Sequence, residues 1–173
     1  VKDTLAFLRL IIDPDDDMAL SRIANVPPRG LSSHTIEKCR TAASIGGRSL
    51  WQELKHASQN NELTRAAMGG AHSLEQLVAL RDRAATVGAA ETLRIALAQT
   101  GYQKYLERIY EDDLNEAEAR WLCVEEVVNA LAQHEKTHRI AKNCNDFVQL
   151  ARQFLDDLIL EITEAERRES DQD

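Results

Sequence analysis

The sequence predicts an all-α fold: a compact multi-helix domain with a helix–hairpin–helix-like element near its N-terminus. Aromatic residues make up only 5% of the chain while Ala, Leu and Glu are plentiful, and this composition favours helices. No segment alternates apolar and polar residues as a strand would, whereas apolar residues recur at spacings of three and four in about eight segments. With 173 residues, of which 43% are apolar and 29% charged, the chain is long enough to bury a core.

The N-terminal segments are predicted to be short helices with identifiable ends. Leu5, Leu8 and Ile12 share one stripe of a first helix, which Asp13-Pro14 ends. Carboxylates suit a helix N-terminus, so the acidic run Asp15–Asp17 is expected to begin the second helix. The predicted helices here are Lys2–Ile12, Asp15–Ala24, Ser33–Ala43 with a C-cap near Gly46-Gly47, and a short helix from Ser49 with Trp51 and Leu54 inward.

The remaining segments are predicted to be longer helices. Apolar spacing runs from Glu62 to Thr86, where Gly69-Gly70 is expected to kink or split the helix. Three further helices are predicted over Ala90–Thr100, Tyr102–Tyr110 and Glu116–Glu135, and Asn145 is expected to open the last one. We predict one domain over residues 1–163, followed by a charged, disordered tail over 164–173.

The sequence between the second and third helices predicts a rigid hairpin over Asn25–Thr35. Pro27 and Pro28 fix their own φ angles, and Gly30 permits a positive φ and the close approach of another backbone. Ser32 or Ser33 is expected to cap the helix that follows. Backbone amides, a helix N-terminus and Arg29 would together form a phosphate-binding site. An ordinary corner between two helices remains the alternative.

Charge and cysteine content narrow the function classes. The net charge of −8 argues against nucleic-acid binding over the whole surface, but residues 1–50 carry a net charge of +1, so an anion-binding face belongs there. Cys39, Cys123 and Cys144 lie far apart and predict reduced thiols in a cytoplasmic protein. The apolar opening over Val1–Ile12 is too short to span a membrane, and no membrane partner is expected. The chain is expected to be a piece of a longer protein.

Three stretches of the sequence resemble one protein family. They are Val1–Leu10 with Asp13–Pro27; Pro28–Ile36, which is similar to an Arg-Gly-Ile-Gly-x-x-Thr signature; and Glu118–Arg120 with Val124–Glu126 ahead of Phe154-Leu155. Together they resemble the 2B subdomain of UvrD/Rep/PcrA-type superfamily 1 DNA helicases over essentially the full length of the chain. Ser32 stands where that family usually has a second glycine.

The resemblance implies a function. The parent protein would be an ATP-dependent 3′–5′ DNA helicase with ATP and Mg²⁺ as cofactors, and this chain would be its non-catalytic accessory or regulatory subdomain. The DNA-binding residues carried over are those of the hairpin and the following helix start: Arg29, Gly30, Leu31, Ser32 and Thr35. The implied partners are duplex DNA, bound weakly and without sequence preference, and the other subdomains of the helicase. Such contacts go to phosphates and weaken with salt.

Two further patterns bear on catalysis. No Gly-x-x-x-x-Gly-Lys-Ser/Thr loop occurs in the sequence, so we expect no ATP binding, cofactor or catalytic residue in this chain itself. His134-Glu135-Lys136-Thr137-His138 matches the zinc-binding pattern H-E-x-x-H, with Cys144, Glu161 or Glu164 as candidate third ligands. The charged Lys136 and the lack of a strand pattern argue against a metalloprotease, and we predict no metal site.

One alternative function belongs to a different class. The chain would then be a helical protein–protein interaction module without DNA contact, in which the hairpin is only a corner. The acidic cluster around Glu107–Glu118 would then meet the partner protein.

Overall fold

The computed structural model of the chain describes residues 1–142 and 146–170. These residues form ten α-helices and no strand, which confirms the all-α prediction. In chain order the helices are α1 (Lys2–Ile12), α2 (Asp17–Ile23), α3 (Ser33–Gly46), α4 (Leu50–Gln59), α5 (Arg65–Ala79), α6 (Arg81–Val87), α7 (Ala89–Thr100), α8 (Tyr102–Ile109), α9 (Leu114–Lys142) and α10 (Phe147–Ser170).

The helix ends are set by local side-chain and backbone caps. Asp16, Ser32, Ser49 and Thr64 each accept a hydrogen bond from the amide three residues further on, which satisfies one of the free donors of the first turn. Gly47 and Gly101 end α3 and α7 in the left-handed conformation, at φ angles of 62° and 67°. The predicted caps at Ser49 and Gly101 and near Gly46-Gly47 are therefore confirmed, and of the two candidate caps of α3 the structure selects Ser32.

Several predicted boundaries differ from the structure; α9, for example, extends to Lys142, beyond its predicted end at Glu135. The prediction that the helix is interrupted at Gly69-Gly70 is wrong. α5 runs through both glycines, and the helical segment predicted from Glu62 to Thr86 divides at Leu80 instead. α9 begins earlier than predicted because Asp113 caps it, its carboxylate accepting the amide of Glu116 at 3.1 Å. The predicted start of the last helix at Asn145 lies outside the described residues. The boundary between domain and tail at 163/164 stays a prediction.

Helix α1 lies at the centre of the core. Phe7, Leu8 and Ile11 are at most 1% exposed, and α1 contacts α2, α5, α7 and α10. Full burial of each such side chain stabilises the fold by roughly 1.5–3 kcal/mol. The apolar opening of the chain is thus explained by a core helix, and no helix within the described ranges is long and apolar enough to cross a membrane.

The acidic run before α2 ties the N-terminal helices together. Asp17 Oδ1 accepts the amide of Leu50 at 2.8 Å, and Asp15 accepts the hydroxyl of Ser49. These carboxylates therefore sit at the N-terminus of α4 as well as at the start of α2, where they satisfy donors and complement the helix dipole. Because α4 also packs on α3 and α5, the hydrogen bonds from the start of α4 to Asp15 and Asp17 fix the position of α2 relative to α3 and α5. The loop between α2 and α3 is held between these helices.

Candidate nucleic-acid interface

The loop between α2 and α3, residues 24–32, is called here the α2–α3 loop. It covers most of the segment predicted to be a hairpin, Asn25–Thr35, whose last three residues belong to α3. It includes a cis peptide bond between Val26 and Pro27. The side chain of Asn25 holds the loop, because its Oδ1 accepts the amide of Arg29 at 2.8 Å and that of Leu31 at 3.2 Å. Both amides are therefore bonded within the protein.

The side chain of Arg29 folds back on the loop. Its Nη2 donates to the carbonyl oxygen of Val26 at 2.8 Å, and its Nε donates to that of Pro27 at 3.2 Å. Its Nη1 is buried and has no hydrogen-bond partner in the part of the chain that the structure describes. Burial lowers the pKa of the guanidinium to about 10. The structure thus places this side chain on the carbonyl oxygens of its own loop.

Gly30 and Leu31 seat the α2–α3 loop on α5. Gly30 has a φ of +88°, and a Cβ atom on it would lie 2.5 Å from the carbonyl oxygen of Ala66 in the first turn of α5. Leu31 is fully buried. A Cβ atom on Gly70 would lie 2.7 Å from Leu31 Cγ. Glycines at positions 30 and 70 therefore allow this close packing of loop and helix.

Ser32 and Thr35 lie at the N-terminus of α3. Ser32 is exposed and has φ −63° and ψ 157°, an extended conformation that any residue adopts, so a serine fits in place of the family's glycine. Its Oγ accepts the amide of Thr35 at 3.2 Å and lies 2.9 Å from the Thr35 hydroxyl. The amides of Ser33 and His34 have no acceptor among the described residues. They are the free donors of the first helical turn.

Two helix N-termini flank Gly30. The N-cap of α3 follows two residues later, and the first turn of α5 lies against Gly30 through Ala66. Each helix N-terminus carries the equivalent of roughly half a positive charge, and anions bind readily there. The two positive ends on either side of a glycine therefore form a surface suited to a phosphate group.

Arg65 is a residue that sequence reasoning missed. It is the first residue of α5, it is exposed, and among the described ion pairs it has none. It is the chain neighbour of Ala66, which contacts Gly30, so the backbone of Arg65 lies close to the α2–α3 loop. No local pattern could have indicated this, because the contact joins segments far apart in the sequence.

The H-E-x-x-H segment of α9 has a structural role. The buried carboxylate of Glu135 accepts the amides of Ala89 and Ala90 at 2.6 and 3.0 Å and so caps the N-terminus of α7. His134 and His138 stack with ring centroids 3.9 Å apart. No group of three His, Cys, Asp or Glu side chains within the described ranges could hold a metal ion. Cys144 and the side chain of Glu164, two of the candidate third ligands, lie outside those ranges.

Comparison with known proteins points to helicases. Residues 1–169 match a family described as UvrD-like helicase C-terminal domain. The chain is 30% identical to DNA helicase II of Escherichia coli over 134 residues, 77% of this chain and 18% of that protein. It is 46% identical to the ATP-dependent DNA helicase PcrA of Bacillus subtilis over 55 residues, 32% of this chain and 7% of that protein. It is 26% identical to PcrA of Staphylococcus aureus over 139 residues, 79% of this chain and 18% of that protein. The aligned part of the chain therefore spans less than a fifth of these relatives' length.

Proposed function

The chain belongs to the UvrD-like helicase C-terminal domain family, and we propose that it is the 2B subdomain of an ATP-dependent 3′–5′ DNA helicase, a non-catalytic accessory part that contacts duplex DNA. The observation that carries the proposal is the pair of helix N-termini, those of α3 and α5, on either side of Gly30. ATP and Mg²⁺ would be bound by other parts of the helicase.

The predicted DNA-binding residues divide by role. Ser32 and Thr35 offer hydroxyl groups at the surface, and the neighbouring amides of Ser33 and His34 offer unused donors to phosphate oxygens. Gly30 contributes by letting the first turn of α5 pack against the α2–α3 loop, because Ala66 occupies the space that a side chain at position 30 would need.

Arg29 and Leu31 contribute to DNA binding only indirectly. The Arg29 guanidinium bonds two loop carbonyls, and the buried Leu31 side chain packs at Gly70, so both residues hold the α2–α3 loop in its shape. The exposed cation that favours DNA is then Arg65 at the start of α5.

Phosphate contacts of this kind predict weak binding without sequence preference. With a net charge of −8 on the chain, we expect an affinity no tighter than roughly 10⁻⁴–10⁻⁶ M, as for other non-specific DNA contacts. In the intact helicase this contact would position the duplex ahead of the motor, while the affinity for DNA as a whole comes from the other subdomains.

A fluorescence titration with a DNA duplex that carries a 3′ single-stranded overhang tests the proposal. We expect binding at about 50 mM salt that is largely lost at about 200 mM. Arg65→Gln should weaken binding and lower the slope of log affinity against log salt by about one. Arg83→Gln is the matched control, because Arg83 is also exposed and has no ion pair in the described part of the chain.

Absence of binding at low salt would favour the alternative, a helical protein–protein interaction module. One observation supports a protein-binding surface independently: an open groove whose lining carries more negative than positive charge lies along α8 and α9, and its residues are distinct from those of the α2–α3 loop.

A further inference from the structure

Two adjoining cavities form one groove along α8 and α9, called here the α8–α9 groove. Their volumes are about 540 and 560 Å³, and they share Gln103, Trp121 and Glu125 in their linings. Because Trp121 belongs to both, its half-buried ring lies at the middle of the groove. No residue of the groove belongs to the α2–α3 loop, α3 or α5.

The floor of the groove is one stripe of α9. The lining residues of α9 recur every three or four positions from Leu114 to Asn129, so they share one side of the helix over about 22 Å, or roughly four turns. Leu114 is 66% exposed and Leu122 is 52% exposed. Several apolar side chains in one concave stripe are typical of a protein-binding surface, unlike a single exposed side chain such as Ile45.

The lining of the groove carries more negative than positive charge. Glu107, Glu118 and Glu125 line the groove, and none of them belongs to an ion pair among the described residues. Of the two cations at the α7 end, Arg94 is paired with Glu91 at 2.6 Å, which leaves Lys104. The exposed acidic run Glu111–Asp113 directly precedes Leu114 and adds to the negative field.

We propose that the α8–α9 groove binds one amphipathic helix of a partner protein, about four turns long, whose apolar stripe faces Trp121 and whose flanks carry Lys and Arg. The length of the α9 stripe determines the length of the bound helix. The apolar residues of the groove favour an apolar face on that helix, and the three glutamates favour Lys and Arg on its flanks. The proposal does not depend on DNA contact by the α2–α3 loop.

The charge pattern argues for a foreign helix over a second copy of this chain. The other exposed apolar pair on a long helix is Ile159 and Leu160 of α10, within the part of the chain that the structure describes. Asp156, Asp157 and Glu161 surround that pair, so its approach to the glutamates of the groove would bring like charges together.

The 173-residue chain has a built-in reporter for this interaction. It contains two tryptophans, of which Trp51 is buried in α4 and Trp121 lies in the groove. In the Trp51→Phe variant, fluorescence therefore reports on Trp121 alone. The probe is a synthetic 18-residue peptide with Leu at positions i, i+3, i+4 and i+7 of each two turns and Lys or Arg elsewhere. A scrambled peptide of identical composition is the control.

We expect the amphipathic peptide to shift the Trp121 emission to shorter wavelength with saturation at one peptide per chain, and the scrambled peptide to leave it unchanged.

Leu122→Ser should weaken binding about tenfold, which corresponds to about 1.4 kcal/mol, a partial loss of one buried leucine contact. Ile45→Ser on α3 removes an exposed apolar side chain outside the groove and should leave the affinity unchanged. A variant with Lys in place of Glu118 and Glu125 should lose affinity for the basic peptide. It should instead bind a peptide in which Glu replaces every Lys and Arg.

Three results would overturn the proposal. The first is equal binding of the amphipathic and scrambled peptides. The second is equal affinity of the Leu122→Ser and Ile45→Ser variants, since both side chains are exposed and both variants should stay folded. The third is a concentration-dependent dimer in sedimentation that shifts the Trp121 emission without peptide, because the groove would then bind a second copy of the chain.

Discussion

A Cβ atom on Gly70 would lie 2.5 Å from the carbonyl oxygen of Arg29, so α5 and the α2–α3 loop meet at a distance that excludes any side chain there. The neighbouring Gly69 has nothing within 4 Å of its Cβ position. Two adjacent glycines in one helix therefore have different reasons to be glycine. Only Gly70 is required for the position of the loop.

Alanine at the two positions should shift stability in opposite directions. Gly70→Ala forces the loop away from α5 and should lower the free energy of unfolding by about 1–3 kcal/mol. Gly69→Ala, at an exposed helical site, should raise it by about 0.5–1 kcal/mol. Urea unfolding of both variants is the measurement. Equal effects of the two substitutions would contradict the close contact at Gly70.

Asn25 is predicted to hold the α2–α3 loop through one side-chain oxygen. Asn25→Ala leaves the amides of Arg29 and Leu31 without their acceptor and should destabilise the fold by roughly 1–3 kcal/mol. Asn25→Asp keeps an acceptor at the same place and should lose much less. Hydrogen exchange at the two amides checks this directly: protection should fall in the Ala variant and persist in the Asp variant. Unchanged protection in Asn25→Ala would show that the loop is held by other contacts.

The sequence was informative where structure is local. Ser49 and Gly101 reveal helix ends because a capping residue acts within one turn of its own position, and Pro27 and Gly30 reveal the loop for the same reason. The sequence did not reveal how the loop is seated. The contacts of Gly70 and of Ala66 with the α2–α3 loop join segments far apart in the chain and leave no periodic signal. From the sequence alone, Gly69-Gly70 therefore predicts a kink or a split, whereas α5 runs through both residues.

The direction of the Arg29 side chain at the candidate site is also something that the sequence does not reveal. An arginine beside a glycine in an exposed turn predicts a cation available to phosphate. The structure instead turns the guanidinium onto the carbonyl oxygens of Val26 and Pro27, and burial lowers its pKa to about 10. Which way a long side chain folds depends on the acceptors around it, and these are known only once the loop is built.

Stability is predicted to decline below neutral pH because of His134. Burial, and then the stacked His138, lower the pKa of His134, while Asp157, the Leu150 backbone and Glu135 act in the opposite direction. The unfolded chain has a histidine pKa near 6.5, so it binds the proton more readily than the folded chain. The contribution of His134 is therefore complete above about pH 6.5 and is lost as the pH falls toward the pKa of the folded state.

Urea unfolding between pH 7.5 and 5.5 measures this effect. His134→Phe, which keeps a ring against Phe154, should flatten the pH dependence. An unchanged pH dependence in His134→Phe would assign the decline to other groups.

The substitution Ser33→Pro is the sharpest test of the proposal that the free amides at the start of α3 bind DNA phosphate. Proline suits the first position of a helix, and Ser32 already has the extended conformation that a following proline requires, so the change removes one amide donor and keeps the helix. Ser33→Ala keeps the amide and is the matched control. Duplex binding at low salt should weaken about tenfold in Ser33→Pro and stay unchanged in Ser33→Ala, with equal thermal stability of both. Duplex affinity in a folded Ser33→Pro variant equal to that of the unmodified chain would contradict the account.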